Sequence, residues 1–178
     1  MAFSQVMRTS NTPEWQTPPY VIERVLRVMG AIDLDPCSSS HGNPNVPAAQ
    51  HYTLENDGLA QMWHGRIYMN PPYGREIDSW VEKLVLEYEA KRVIQAIALL
   101  PARTDTRWMA RLRGFPRCFL RGRLKFAARG AVLRSGYENS APFPSVVVAL
   151  GCDLNRFIAA FGDIGDVYQL VGPPLSRK

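Results

Sequence analysis

The chain has 178 residues, 46% of them hydrophobic and 21% charged, with a formal net charge of +5. That length suits one domain, residues 1–178, built on one core, and no apolar run is long enough to span a bilayer. Three widely spaced cysteines, Cys37, Cys118 and Cys152, make neither a disulfide framework nor a zinc pattern. With no apolar leader in residues 1–12, the expected setting is a reducing cytoplasm.

Residues 1–14 read as a polar arm that leads to Trp15. In "TPPYVIERVLRVMG" two prolines stand where a helix start tolerates them, and Gly30 suits the position just past its end. Val21, Ile22, Val25, Leu26 and Met29 recur at helical spacing and predict its buried face. Residues 31–35, "AIDLD", read as a short strand, followed by a polar loop, "PCSSSHGNPNVP". A second strand covers residues 65–69. From Glu76 to Lys91 the residues Ile77, Trp80, Val81, Leu84, Val85 and Tyr88 trace one helix face.

"VIQAIALLP" reads as a buried strand, and Thr104 or Asp105 could cap a helix that reaches about Leu112. "RCFLRG" and "FPSVVVALG" are further strands. A helix from Asp153 to Phe161 and a last strand, "DVYQLVG", follow. Residues 128–142, rich in Gly, Ser and charge, read as a mobile loop. The alternation of strands and helices predicts an α/β protein with a mostly parallel sheet flanked by helices.

Charge is unevenly placed. Between Arg103 and Arg134 the sequence holds ten basic residues and one acid, Asp105. Clustered Lys and Arg grip phosphates, so the window suggests a nucleic-acid surface; a solvated basic face is the plainer reading. His41, His51 and His64 share no ligand spacing, so no metal site is expected.

Open α/β sheets bind ligands at the carboxyl ends of their strands. Three groups stand at such ends: Asp33 and Asp35, then Asn70-Pro71-Pro72-Tyr73, then Pro101 to Asp105. Asn70 carries a side-chain carbonyl, and Pro71 keeps a backbone carbonyl although it lacks an N–H. The fixed φ angles of Pro71 and Pro72 hold those acceptors in one geometry. Tyr73 offers a face on which a base can stack. Two rigid acceptors beside a flat ring suit an exocyclic amino group on a planar base. Drawing its two N–H bonds toward oxygen loosens the nitrogen lone pair from the ring and makes it a better nucleophile. The alternative is that Pro-Pro merely ends a strand and Tyr73 packs in the core.

The sequence resembles the phage-type DNA N6-adenine methyltransferases, which use S-adenosylmethionine. The resemblance rests on an ordered set: Trp15-Gln16-Thr17-Pro18, Asp33-Leu34-Asp35-Pro36, Asp57-Gly58-Leu59 with Trp63, and Asn70-Pro71-Pro72-Tyr73. It continues through Leu100 to Thr106 with Trp108, Gly122-Arg123-Leu124-Lys125-Phe126, and Pro142-Phe143-Pro144-Ser145. It implies a Rossmann-like class I methyltransferase fold, with methyl transfer from S-adenosylmethionine to the N6 amino group of adenine in DNA. Asn70 and Pro71 would hold that amino group, Pro72 would shape the turn, and Tyr73 would stack on the base. Asp33, Asp35 and Pro36 would lie against the cofactor, and Trp15 and Thr17 would close over it. Asp57 would serve either the cofactor's adenosine part or a turn. A duplex adenine would have to be flipped out to reach the pocket.

In the basic window, Arg103 and Arg107 would touch phosphates or the cofactor carboxylate. Arg121, Arg123 and Lys125 alternate as on a strand, which predicts one face turned to the DNA backbone. One departure stands out: Pro36 is followed by Cys37 to Gly42 with no Gly-x-Gly turn. The alternatives are the same chemistry on cytosine N4, RNA or a protein amide, and a non-catalytic nucleic-acid-binding protein that retains the fold.

Overall fold

The computed structural model describes residues 15–38, 45–125, 127–128 and 141–171. The polar arm, most of the predicted mobile loop, His41, Phe126 and the end of the Cys37–Gly42 stretch lie outside those residues, as does the side chain of Trp15.

Two-residue strand Trp15–Gln16 (β1) runs into helix Pro19–Met29 (α1), where Pro19 occupies a position that needs no amide donor. Gly30 ends the helix at φ 81°, a left-handed conformation suited to glycine, and its amide bonds Leu26 O. Val21, Ile22, Val25 and Met29 are buried as their spacing predicts; Val28 joins them, and Leu26 is partly buried. Strands Ile32–Asp35 (β2), Ala48–His51 (β3) and Gly65–Met69 (β4) follow, then helix Ile77–Glu89 (α2) and strand Val93–Pro101 (β5). Helix Arg107–Arg111 (α3), strand Arg117–Leu120 (β6), the short Ala127–Ala128 (β7), strand Ser145–Leu150 (β8), helix Leu154–Phe161 (α4) and strand Gly165–Tyr168 (β9) are the remaining elements of the described residues.

Seven strands form one sheet in the order β3-β2-β4-β5-β8-β6-β9. Strands β3, β2, β4 and β5 pair in parallel, whereas β8 is antiparallel to both β5 and β6, and β9 is antiparallel to β6. Five strands therefore point one way and two the other, which makes the sheet a mostly parallel one of Rossmann-like α/β type. Alternate residues of the central strands enter two cores. Tyr68, Ile97, Leu99 and Val147 pack with α1 and α4; Ile67, Met69, Ala98, Leu100 and Val146 pack with α2 and α3. No helix of the described residues is long and apolar enough to cross a membrane.

Three local expectations are corrected. Strand β3 was not predicted: "AAQH" is a short edge strand with a largely polar, exposed pattern, so periodicity does not mark it. The cap of α3 is Thr106, whose hydroxyl accepts from Met109 N, rather than Thr104 or Asp105. Residues 121–125 do not extend β6. The strand stops at Leu120, Arg121 N turns to Ile164 O, and Gly122 adopts φ 74°. The alternation of Arg121, Arg123 and Lys125 is thus not that of a strand face.

Candidate active site

Strand β2 leads to β3 on one side, while β4 lies on its other side. That reversal opens a crevice at the carboxyl ends of β2 and β4, where doubly wound sheets take their ligands. Asp35 ends β2 and Asn70 follows β4. Pro101 ends β5 on the same rim, with Ser145 opposite it in register. The β1–β7 pair joins Trp15 to Ala128 and brings the entry to α1 to this rim, where Thr17 meets Asn70.

A chain of side-chain hydrogen bonds fixes the Asn70 amide. Its Nδ2 donates to Thr17 Oγ1 (3.2 Å), and its Oδ1 accepts from the Tyr73 hydroxyl (2.7 Å). Thr17 is 3% exposed and its Oγ1 also meets the buried Tyr68 hydroxyl at 2.7 Å. The Tyr73 hydroxyl lies 3.3 Å from Leu99 O as well, and its ring packs edge-on against Phe143 with centroids 5.2 Å apart. Burial pushes the phenols of Tyr68 and Tyr73 well up, so both stay neutral, and that of Tyr73 donates to Asn70. Pro71 is buried and Pro72 exposed. Among the described residues none donates to the Pro71 carbonyl. Tyr68 was missed at the sequence level. It stands two residues before Asn70, and the two-residue period of β4 is the signal that puts both on one face.

Across the crevice, Asp35 is 5% exposed and its Oδ1 accepts from Cys37 N at 3.1 Å. His51, at the end of β3, is its partner in register, with Nδ1 3.8 Å from Asp35 Oδ2. That is an ion-pair separation, too long for a hydrogen bond, and Nδ1 is buried with no hydrogen-bond partner among the described residues. The Asp35 carboxylate raises the imidazole above its ordinary value, against the opposing effect of burial. Burial pushes the Cys37 thiol well up, with Asp35 adding to it, and the thiols of Cys118 and Cys152 rise to about 11 and about 12. All three are neutral thiols rather than nucleophiles.

Asp33 and Asp57 stand differently. Asp33 accepts from Arg66 N (2.7 Å), Nε (2.9 Å) and Nη2 (2.8 Å), which ties β2 to the start of β4, away from the rim. Asp57 is exposed at φ 51°, in a turn closed by Ala60 N to Asp57 O. The next residue is held tightly. A Cβ on Gly58 would lie 2.0 Å from Pro36 O, and Gly58 O accepts from the buried Trp63 indole. The Asp57-Gly58-Leu59 motif thus braces the Asp35-Pro36 turn from outside.

Arg103 and Arg107 flank the loop after β5, exposed and without a side-chain partner among the described residues. Arg75, two residues past Tyr73, is exposed in the same way and was not singled out from sequence. Arg121 and Arg123 turn instead toward backbone carbonyls of Gly162, Asp163 and Ala141. Lys125 is exposed. No group of three or more His, Cys, Asp and Glu among the described residues could hold a metal ion.

The crevice suits S-adenosylmethionine on its own chemistry. A buried carboxylate with lone pairs to spare lies on one wall, complementary to ammonium and hydroxyl groups. The Pro71 carbonyl, to which no described residue donates, and the Asn70 amide carbonyl lie on the other. A family model described as DNA N-6-adenine-methyltransferase (Dam) matches residues 5–149. That span takes in every rim group described above. No curated protein matches the chain.

Proposed function

The chain belongs to the DNA N-6-adenine-methyltransferase (Dam) family, so it transfers a methyl group from S-adenosylmethionine to adenine N6 in DNA, and we propose that the β2–β4 crevice is where it does so. The observation that carries this reading is the fixed Asn70 amide. Tyr73 and Thr17 hold it from opposite ends, beside a Pro71 carbonyl that no described residue uses.

Asn70 Oδ1, a carbonyl oxygen with two lone pairs, and Pro71 O are the two acceptors of this turn. Together they take the two N–H bonds of the adenine amino group. Pro72 keeps the turn rigid. Tyr73, anchored at its hydroxyl and braced by Phe143, gives the base a ring that does not swing. S-adenosylmethionine, when bound, supplies a methyl group made electrophilic by its sulfonium. Asp35 and Pro36 hold it from the β2 side, with Trp15 and Thr17 over it and Asp57 at the outer edge of that wall. Asp33 has a structural part through Arg66. The catalytic contribution of these residues is positioning and electrostatic stabilisation.

DNA is the substrate, and a paired adenine reaches this rim only by leaving the stack. Arg103, Arg107, Arg121, Arg123 and Lys125 meet phosphates, and residues 1–178 act as one methyltransferase domain. The test is chemical. The protein is incubated with labelled cofactor and unmethylated DNA, and the digested nucleosides are separated. Label in N6-methyladenosine is the expected result; label only in N4-methylcytosine, or only in RNA or protein, would overturn the assignment. Loss of transfer with cofactor binding retained in Asn70→Ala ties the activity to this crevice.

A further inference from the structure

A second concave site lies apart from the crevice, toward the β6–β9 end of the sheet. It is an open cleft of about 360 Å³, walled by Tyr20, Leu120, Leu124 and Ile164, with Arg121 and Arg123 at its edge. Small-molecule sites begin at roughly 300 Å³, a size suited to one nucleotide unit. Nothing in the methyl-transfer chemistry uses it.

The cleft follows from the irregular stretch after β6. Because the strand ends at Leu120 and Gly122 turns left-handed, Arg121 and Arg123 fold back onto backbone. Arg121 Nη2 donates to Gly162 O (3.1 Å) and Asp163 O (3.0 Å), and Arg123 Nη1 donates to Ala141 O (3.1 Å). Carbonyl anchors hold a guanidinium in place without cancelling its charge, and each still has donors to spare. Asp163, also on the cleft, spends its carboxylate on Arg24 at 2.7 Å. Asp166 is 3.7 Å from Arg121 Nη1, and Arg123 has no acidic partner among the described residues. The result is a basic edge of mixed surroundings, with Arg121 also ion-paired to Asp166, beside the aliphatic side chains of Leu120, Leu124 and Ile164 and a part-exposed Tyr20 ring that Arg24 covers on one face at 5.6 Å.

Two short segments connect the cleft to the crevice. Tyr20 lies three residues beyond Thr17, which bonds Asn70. Leu124 O accepts from Ala141 N, two residues before the Phe143 that packs on Tyr73. We propose that this cleft binds a second nucleotide of the DNA strand, outside the methylated position, with its phosphate on Arg121 and Arg123 and its base against Tyr20. The inference rests on the proposed DNA activity. Stacking on an aromatic ring reads no base edge, so the subsite adds affinity without choosing sequence.

The experiment compares wild type with Arg123→Gln and Tyr20→Ala on one unmethylated oligonucleotide, measuring DNA affinity across salt, steady-state kinetics and S-adenosylmethionine affinity. In Arg123→Gln the slope of log affinity against log salt falls by about 1. Tyr20→Ala keeps the slope and weakens binding by about 5- to 100-fold. Both raise KM for DNA, leave kcat within about twofold and leave cofactor affinity and the methylated sequence unchanged. If wild type methylates adenine while both variants bind DNA as wild type does, the cleft inference is wrong and the activity stands. If wild type does not methylate DNA, the activity itself is refuted. A change of methylated sequence in Tyr20→Ala would overturn the base-tolerant reading. Arg123→Lys, which keeps the charge, restores the slope.

Discussion

The Tyr73 hydroxyl donates to Asn70 Oδ1 across 2.7 Å, and both residues belong to the same four-residue turn. The bond fixes which end of the amide is oxygen, since a hydroxyl hydrogen needs an acceptor. Thr17 completes the assignment by accepting from Nδ2. Removing the hydroxyl alone therefore tests orientation separately from stacking. Tyr73→Phe is expected to lower kcat by about 5- to 10-fold, the worth of one hydrogen bond, with cofactor affinity near wild type. Asn70→Ala abolishes transfer while cofactor binding persists. Near-normal turnover in Asn70→Ala would refute its role.

Thr17 joins the crevice to the core. Its Oγ1 is shared between Tyr68 OH and Asn70 Nδ2; Thr17 and Tyr68 are buried and Asn70 is half-buried. Thr17→Val keeps the shape but leaves the Tyr68 hydroxyl without that partner, at a cost of about 1–3 kcal/mol. Urea unfolding measures the loss, and transfer should fall further than stability explains because the bond from Asn70 Nδ2 to Thr17 is lost too. Thr17→Ser keeps the oxygen and should recover most of the activity. A valine variant with full turnover would show that Asn70 is held by other means.

Two aspartates in "AIDLD" look equivalent in sequence and are not so in space. Asp33 is bound at three points by Arg66 near the start of β4, whereas Asp35 is buried at the rim beside Cys37 and His51. Asp35→Asn is expected to weaken S-adenosylmethionine binding by tenfold or more, the scale of one lost charged hydrogen bond. Asp33→Asn is expected to leave it within about twofold and to lower the melting temperature by a few degrees. Calorimetric titration of both variants checks this. Equal losses of cofactor affinity would contradict the separation.

What the sequence disclosed, and what it hid, follows one physical divide. Periodic elements such as Pro19–Met29 and Val93–Pro101 were readable, because burial on one or both faces imposes a pattern. The Asn70–Tyr73 turn was readable because proline restricts the backbone by itself. Strand β3 was not, since an edge strand half in solvent needs no alternation. The Tyr68–Thr17–Asn70 link joins residues far apart in the chain, and no local spacing encodes it. Arg121 and Arg123 misled for the opposite reason. Their two-residue spacing mimics a strand, while Gly122 between them takes a conformation that ends one.

His51 gives the crevice a pH dependence. Asp35 raises the imidazole above its ordinary value near 6.5, so the folded state favours the protonated form more than the unfolded chain does. The stabilisation is complete below that ordinary value and is lost as pH rises through the raised one. The stability difference between wild type and His51→Gln should therefore shrink as pH is raised from about 6 through neutrality. Asp35→Asn removes the carboxylate that causes the shift and should flatten the same curve. Urea unfolding of the three proteins at matched ionic strength across this range makes the comparison. A wild-type profile that parallels His51→Gln throughout would rule out coupling between His51 and Asp35.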